Sequence, residues 1–288
     1  MIRNVSDYRN TRQHIIVSSD DDILSMNAEF IELLLFTCLL NNVNISKDLL
    51  SAHNTMMAGL VDDPGSFRSG GVGIFRGNQV VHMAPQADRV SKLMKNLIDW
   101  LALTEEHPLI TSCVFHYELE FVHPFSDGNG RTGRILNLLY LVNQGLLALP
   151  VLYLSKYIIE NKNDYYYKLG TVSQRNDWKG WLIYMMKAVS YTSSYTNRLI
   201  DEILEQMETT LAYTKTKLPW YSKEVNELLF KQPYIKPIRL ASVLNRTSRT
   251  TMTKYMKEIT GLGIVSPKKD GKEVYYLNID LIRILEDQ

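Results

Sequence analysis

Between His123 and Arg134 the chain reads His-Pro-Phe-Ser-Asp-Gly-Asn-Gly-Arg-Thr-Gly-Arg. A histidine, with an ordinary pKa of about 6.5, can take a proton from a hydroxyl near neutral pH. Its alternative is a capping or core histidine. Asp127 offers hard oxygen atoms of the kind Mg²⁺ takes together with substrate phosphates. As a favoured N-cap residue it could equally cap the helix that follows. Gly128 and Gly130 permit left-handed torsions and close backbone approach. Asn129 between them either donates a side-chain N–H to a phosphate oxygen or simply tolerates the turn. Arg131 and Arg134 lie three apart, neighbours on one helix face, and their planar forks match phosphate oxygens. Arginines at the positive end of a helix call for an anionic partner. Pro124 and Phe125 read as packing residues that fix the entry of the loop.

The elements around this stretch must aim it. An apolar run, Ile135 to Val142, follows at once and is closed by Gly145. Turn followed by helix is the order that points backbone N–H groups at a phosphate. Helices are expected over Ser25 to Leu40, Ser46 to Leu60, Ala87 to Leu103, Pro108 to Val122 and Arg131 to Gln144. In Pro108 to Val122, Leu109, Ile110, Cys113, Val114, Tyr117 and Phe121 recur at helical spacing. His116 in that helix either orients the motif loop or is a satisfied structural histidine, the second being favoured. Pro64 to Pro85 breaks the helical pattern, and its short apolar pieces around Arg76-Gly77-Asn78 predict a β-hairpin.

The rest of the chain sets bounds. Its 288 residues, net charge of +1 and 45% hydrophobic content describe an ordinary globular protein with room for one large domain and a small one. Cys38 and Cys113 are too few for a disulfide framework, and neither CxxC nor zinc spacing is present. Met1 to Val5 leads into polar residues rather than the apolar core of a signal peptide. The apolar stretches, such as Phe30 to Leu40, fall short of a membrane span. A cytoplasmic location without membrane partners is the expectation.

The twelve-residue stretch resembles the signature of the Fic family, His-x-Phe-x-(Asp/Glu)-Gly-Asn-Gly-Arg-x-x-Arg. All its specified positions are met, by His123, Phe125, Asp127, Gly128, Asn129, Gly130, Arg131 and Arg134. The resemblance extends over roughly residues 29–189. It implies a mainly α fold, with a Fic-type helical core and a small β-hairpin flap. It also implies an enzyme that transfers AMP from ATP, with Mg²⁺ at Asp127, to a Ser, Thr or Tyr hydroxyl of a target protein. His123 would then be the general base, Arg134 would hold the terminal phosphate region, and Arg131 would support the pyrophosphate side. The flap, with Gly73, Ile74 and Phe75, would hold the target backbone by strand addition. From the Asn161 to Leu169 segment, Tyr165 or Tyr166 would stack on the adenine, while others of Tyr165, Tyr166 and Tyr167 only pack.

From Trp220 the character changes, and residues 233–277 resemble a winged helix-turn-helix. Ile238 to Leu244 would be its second helix, Asn245 to Thr247 the turn and Ser248 to Ile259 the recognition helix. A β-ribbon wing would turn at Asp270-Gly271. Nine Lys and Arg stand against two Asp and Glu between Ile235 and Lys272. Arg246, Arg249 and Lys254 could therefore contact DNA phosphates, although such modules also serve as protein-protein or dimer contacts. The resulting division is an N-terminal extension (1–24), a catalytic domain (25–198), a connecting helix and linker (199–219) and a winged helix domain (220–288). The connecting helix is expected over Leu199 to Thr214 and the linker over Lys215 to Pro219.

Many Fic proteins carry an inhibitory (Ser/Thr)-x-x-x-Glu-(Gly/Asn) helix. The nearest match here, Ser25 to Glu29, is followed by Phe30, so Glu29 is not expected to inhibit. Two competing readings remain. One is a DNA-binding regulator whose Fic domain senses nucleotide without turnover. The other is a Fic enzyme that removes AMP or uses another nucleotide donor.

Overall fold

The structure, a computed structural model, describes residues 45–76, 79–244, 248–271 and 273–286. The expected helix over Ser25 to Leu40, and Glu29 with it, lies outside them. The chain divides into two compact units, 1–192 and 193–288. Among the described residues no helix is long and apolar enough to cross a membrane.

The first unit is built from helices α1 (Ile45–Met57), α2 (Ala87–Leu103), α3 (Pro108–Val122), α4 (Asn129–Asn143), α5 (Leu154–Glu160) and α6 (Lys162–Arg175), with strands β1 (Gly73–Arg76) and β2 (Gln79–Met83) between α1 and α2. Helix α2 buries Val90, Met94, Leu97 and Leu101, a single stripe at helical spacing. Helix α3 is different. It buries residues on every side, among them Cys113, Phe115, His116, Tyr117, Leu119 and Glu120, because α2 and α4 both pack on it. Pro108 opens it with a torsion preset for a helix, and the His107 ring accepts from the Leu109 N–H at 3.2 Å.

Helix α4 begins two residues earlier than the sequence pattern predicts, at Asn129. It packs tightly on α3 at Gly133, where a Cβ would stand 2.9 Å from Leu119 Cδ2. The hairpin pairs Gly73 with Met83 and Ile74 with His82, then shifts register before Phe75 pairs with Val80. That extra residue is a bulge. Ile74 is buried and packs with Cys113 and Tyr117, so one side of the hairpin belongs to the core.

Helix α7 runs unbroken from Trp178 to Lys217. The expected connecting helix is therefore the second half of a 40-residue helix, and Lys215 to Lys217, expected in the linker, are helical. Nothing in Ser190 to Arg198 breaks the backbone, since Thr and Tyr lower helix propensity only slightly. Trp181, Met185 and Ala188 belong to the core of the first unit, whereas Ile203, Met207 and Leu211 pack in the second.

The second unit continues with α8 (Lys223–Phe230), β3 (Tyr234–Ile235), α9 (Ile238–Leu244), α10 (Arg249–Gly261), β4 (Val265–Asp270), β5 (Glu273–Asn278) and α11 (Ile279–Glu286). Ser222 caps α8 and Ser248 caps α10. The sheet is antiparallel in the order β3-β5-β4, with Gly271 at a φ of 55° in the turn between β4 and β5. Met252, Met256 and Ile259 of α10 are fully buried against Leu229, Leu240 and Tyr276.

Candidate active site

Helix α3 ends where His123 enters the left-handed region, at φ 48° and ψ 62°. For a residue with a Cβ this conformation costs about 1–2 kcal/mol, so its surroundings must hold it there. A helix end also leaves carbonyls without helical partners, and here each is met. The His123 N–H donates to Leu119 O at 2.9 Å. His123 Nδ1 faces Glu120 O at 3.3 Å. His82 Nε2, from β2, donates to Phe121 O at 2.8 Å. Arg68 donates to Val122 O through Nη2 at 3.3 Å and to His123 O through Nε at 2.7 Å.

The bond from Nδ1 to a carbonyl puts the proton on that nitrogen and leaves the lone pair on Nε2. Burial lowers the His123 pKa to about 4, assisted by the charge of Arg68 and by His82; the Glu120 carbonyl bond and Asp127 oppose the shift. The ring is thus neutral at physiological pH, the form a general base requires. The Glu120 carboxyl lies 3.7 Å from the same nitrogen.

Past His123 the loop is held shut. Phe125 is fully buried, and His53 of α1 stacks on it with ring centroids 3.7 Å apart and planes within 5°. His53 Nδ1 accepts from the Gly65 N–H at 2.9 Å. Its Nε2–H therefore donates to Asp127 O at 2.9 Å, fixing the ring as one neutral tautomer. Asn129 is 2% exposed. Its Oδ1 accepts from the Phe125 N–H at 2.8 Å and its Nδ2 donates to Phe125 O at 2.9 Å. The Asn129 amide thus clasps the loop to its own backbone.

Gly128, at φ 82°, is the residue before the first helical position, and a Cβ there would meet Met57 Sδ at 2.8 Å. Gly130 lies within α4 and takes the right-handed helical conformation, so the left-handed torsion expected of it is not used. What it provides is proximity, since a Cβ would stand 3.2 Å from Arg134 Nη1. The first helical bond is Thr132 N–H to Gly128 O at 2.9 Å. The N–H groups of Asn129, Gly130 and Arg131 therefore project from the N-terminus of α4, where an anion is favoured. Asp127 does not cap α4 from the N-cap position, which Gly128 takes. Its Oδ1 accepts from the Gly128 N–H, and its Oδ2 lies 4.0 Å from Arg131 Nη2 on a largely exposed side chain. One exposed carboxylate suits a Mg²⁺ that keeps its waters and phosphate ligands. Among the described residues no group of three His, Cys, Asp or Glu could hold a metal alone.

Beneath the loop lies a buried polar layer. His116 Nε2 bonds the Tyr165 hydroxyl at 3.1 Å, and the ring stacks near Trp181. Burial, with the Arg134 charge, lowers His116 to about 3, and its buried Nδ1 has no hydrogen-bond partner among the described residues. Tyr165 is 5% exposed and packs edge-on to Tyr166. It is a core residue, one of the tyrosines of this segment that pack. Tyr166 is partly exposed and Tyr167 largely so. Glu120 is buried, its Oε1 has no hydrogen-bond partner among the described residues, and burial raises its pKa to about 7 against the pull of Arg134.

The sequence pattern alone does not reveal Arg68, His53, His82, Glu120 or Gly133. Arg68 is separated by 55 residues from His123, and His53 by 74 from Asp127, so no local spacing signals either. Of the residues read as DNA contacts, Arg246 lies outside the described residues, Arg249 begins α10, and Lys254 is exposed 3.8 Å from Glu258.

Residues 43–141 match the Fic/DOC family, and residues 194–281 match the C-terminal domain of SoFic-like protein adenylyltransferase. A Fic family protein from Desulfovibrio desulfuricans G20, of known structure, is 30% identical with a TM-score of 0.56, over 96% of this chain and 81% of that one. Protein adenylyltransferase Fic of Nematostella vectensis is 28% identical over 138 residues, 46% of this chain and 29% of that protein. Protein adenylyltransferase fic-1 of Caenorhabditis elegans is 31% identical over 144 residues, 48% of this chain and 26% of that protein. The chain thus spans less than a third of the length of these two relatives.

Proposed function

The chain belongs to the Fic family, and from that premise we propose that it is a protein adenylyltransferase, moving AMP from ATP to a Ser, Thr or Tyr hydroxyl of a target protein. The observation that carries this reading is the neutral His123 ring, its Nε2 without a hydrogen-bond partner among the described residues, standing just before the N-terminus of α4.

In this reading the triphosphate lies against the N–H groups of Asn129, Gly130 and Arg131. Arg131 and Arg134 neutralise the pyrophosphate portion. His123 Nε2 takes the hydroxyl proton as the target oxygen bonds the α-phosphorus. The bond from that phosphorus to the bridging oxygen breaks, and pyrophosphate departs with the electron pair. Imidazolium then returns its proton to solvent. Mg²⁺, held through Asp127 and the phosphates, would supply charge neutralisation. The β1–β2 hairpin, with the backbone of Gly73, Ile74 and Phe75, would present the target strand, and Tyr166 is the partly exposed ring for the adenine.

The test is transfer of label from α-labelled ATP with Mg²⁺, for wild type and His123→Ala, alone and in host lysate. Labelled protein with the wild type only is the expected result. Absence of label with ATP and with α-labelled GTP, CTP and UTP overturns it.

A further inference from the structure

Arg68 is 3% exposed, and among the described residues no carboxylate pairs with it. Its pKa is lowered by burial alone. A buried cation needs compensation, and Arg68 finds it in carbonyl oxygens. Nε donates to His123 O and Nη2 to Val122 O, at the negative end of the α3 dipole. Nη1 donates to Gly70 O at 2.7 Å and Nη2 also to Pro85 O at 2.5 Å. The Arg68 N–H adds a bond to Pro124 O at 2.9 Å.

These partners fall into two groups. Val122, His123 and Pro124 are the backbone that carries the base. Gly70 and Pro85 are the two feet of the hairpin, just before β1 and just after β2. His82 reinforces the same junction from β2 through Phe121 O. We propose that Arg68 is a positioning residue whose single guanidinium couples the seating of the target-binding hairpin to the presentation of His123. The fork geometry makes the coupling specific, because a point charge cannot reach four carbonyls in two directions at once. Loosening either group removes donors from the other. A target strand that stiffens the hairpin therefore also stiffens the left-handed turn at His123.

This inference rests on the hairpin and His123 having the roles proposed above, but its test does not need a turnover assay. Arg68→Met and Arg68→Lys are compared with wild type by amide hydrogen exchange and by NMR titration of the His123 ring. The groups facing that ring are Glu120 from α3, His82 from β2, Asp127 from the loop and Arg68 itself. The expected result for Arg68→Met is faster exchange in residues 72–84 and 122–126 together, with the His123 midpoint moved upward as a neighbouring cation is lost. Arg68→Lys keeps the midpoint low, since the charge remains, yet exchanges faster in both segments because the fork is gone. Should Arg68→Met fail to fold, Arg68→Lys alone decides by its exchange pattern. Faster exchange in the hairpin only, or no change in either segment, overturns the coupling. In AMP transfer, Arg68→Lys should lose roughly 100-fold in kcat/KM. Failure of the wild type to transfer AMP would sink the proposed activity while leaving the exchange result to judge Arg68.

Discussion

His123 Nδ1 faces the backbone carbonyl of Glu120 at 3.3 Å, and the carboxyl of the same glutamate stands 3.7 Å from that nitrogen. The carbonyl fixes the tautomer, and the carboxyl lies where imidazolium charge would appear once Nε2 takes a proton. Burial holds the ring at about pH 4, so base catalysis is available well below the ordinary histidine range. The rate should stay on its plateau at pH 5.5 and fall only as pH drops toward 4. A kcat/KM–pH profile, which reports the free enzyme, checks this, and an acid limb near 6.5 would contradict it. His123→Ala should lose about 10²–10⁴-fold.

Glu120 carries an opposite signature. Its folded pKa is raised to about 7 from an ordinary 4.5, so the fold favours the protonated form. The resulting stability is fully present below pH 4.5 and is lost as pH rises through about 7. Glu120→Gln keeps a neutral group of the same shape. It should match wild type near pH 4.5 and exceed it at pH 8, by on the order of 1–3 kcal/mol. His116 and His123, both lowered by burial, weaken the fold as pH falls below 6.5. At pH 4.5 the wild-type Glu120 is itself neutral, and at pH 8 both rings are neutral, so these contributions match in the two proteins at the two pH values compared. Denaturant midpoints at the two pH values decide the matter, and a variant less stable at pH 8 would count against it.

How much of this was legible in the chain follows from where each partner lies. Helices α2 and α3 match their periodic pattern end to end because caps and apolar spacing are local properties. The motif announced His123, Gly128 and the arginines through residue types that few other sites combine. Asn129 was ambiguous, since an amide in a turn satisfies a phosphate or its own backbone equally well, and the choice depends on burial. Tyr165 and Tyr166 are adjacent, and only the packing of Trp181 and His116 separates them. Arg68 and His53 act across long chain separations, and nothing in their neighbourhoods marks them.

Asn129 ties both polar groups of the Phe125 backbone inside the loop. Asn129→Ala leaves a buried N–H and a buried carbonyl unpaired, which should destabilise by about 1–3 kcal/mol. Asn129→Asp retains the acceptor but sets a second oxygen against Phe125 O, so it should also destabilise. Thermal unfolding ranks the variants, and for both the KM for ATP should rise because the N-terminus of α4 is no longer held. A variant of normal stability with impaired ATP binding would instead favour a direct phosphate contact.

The two glycines of the loop should separate stability from activity. Gly128→Ala meets a left-handed torsion and the Met57 sulfur 2.8 Å away, and should lower stability by at least about 1 kcal/mol. Gly130→Ala is different, because position 130 is helical and Ala there is the better helix former by about 1 kcal/mol. Its added methyl nevertheless stands 3.2 Å from Arg134 Nη1, so the guanidinium must give way by a few tenths of an ångström. The expectation is unchanged or raised thermal stability together with a fall in kcat/KM for ATP of about tenfold, through lost alignment of Arg134. Equal activity in Gly130→Ala and wild type would mean that Arg134 has room to adjust, and that Gly130 is present for some reason other than proximity to it.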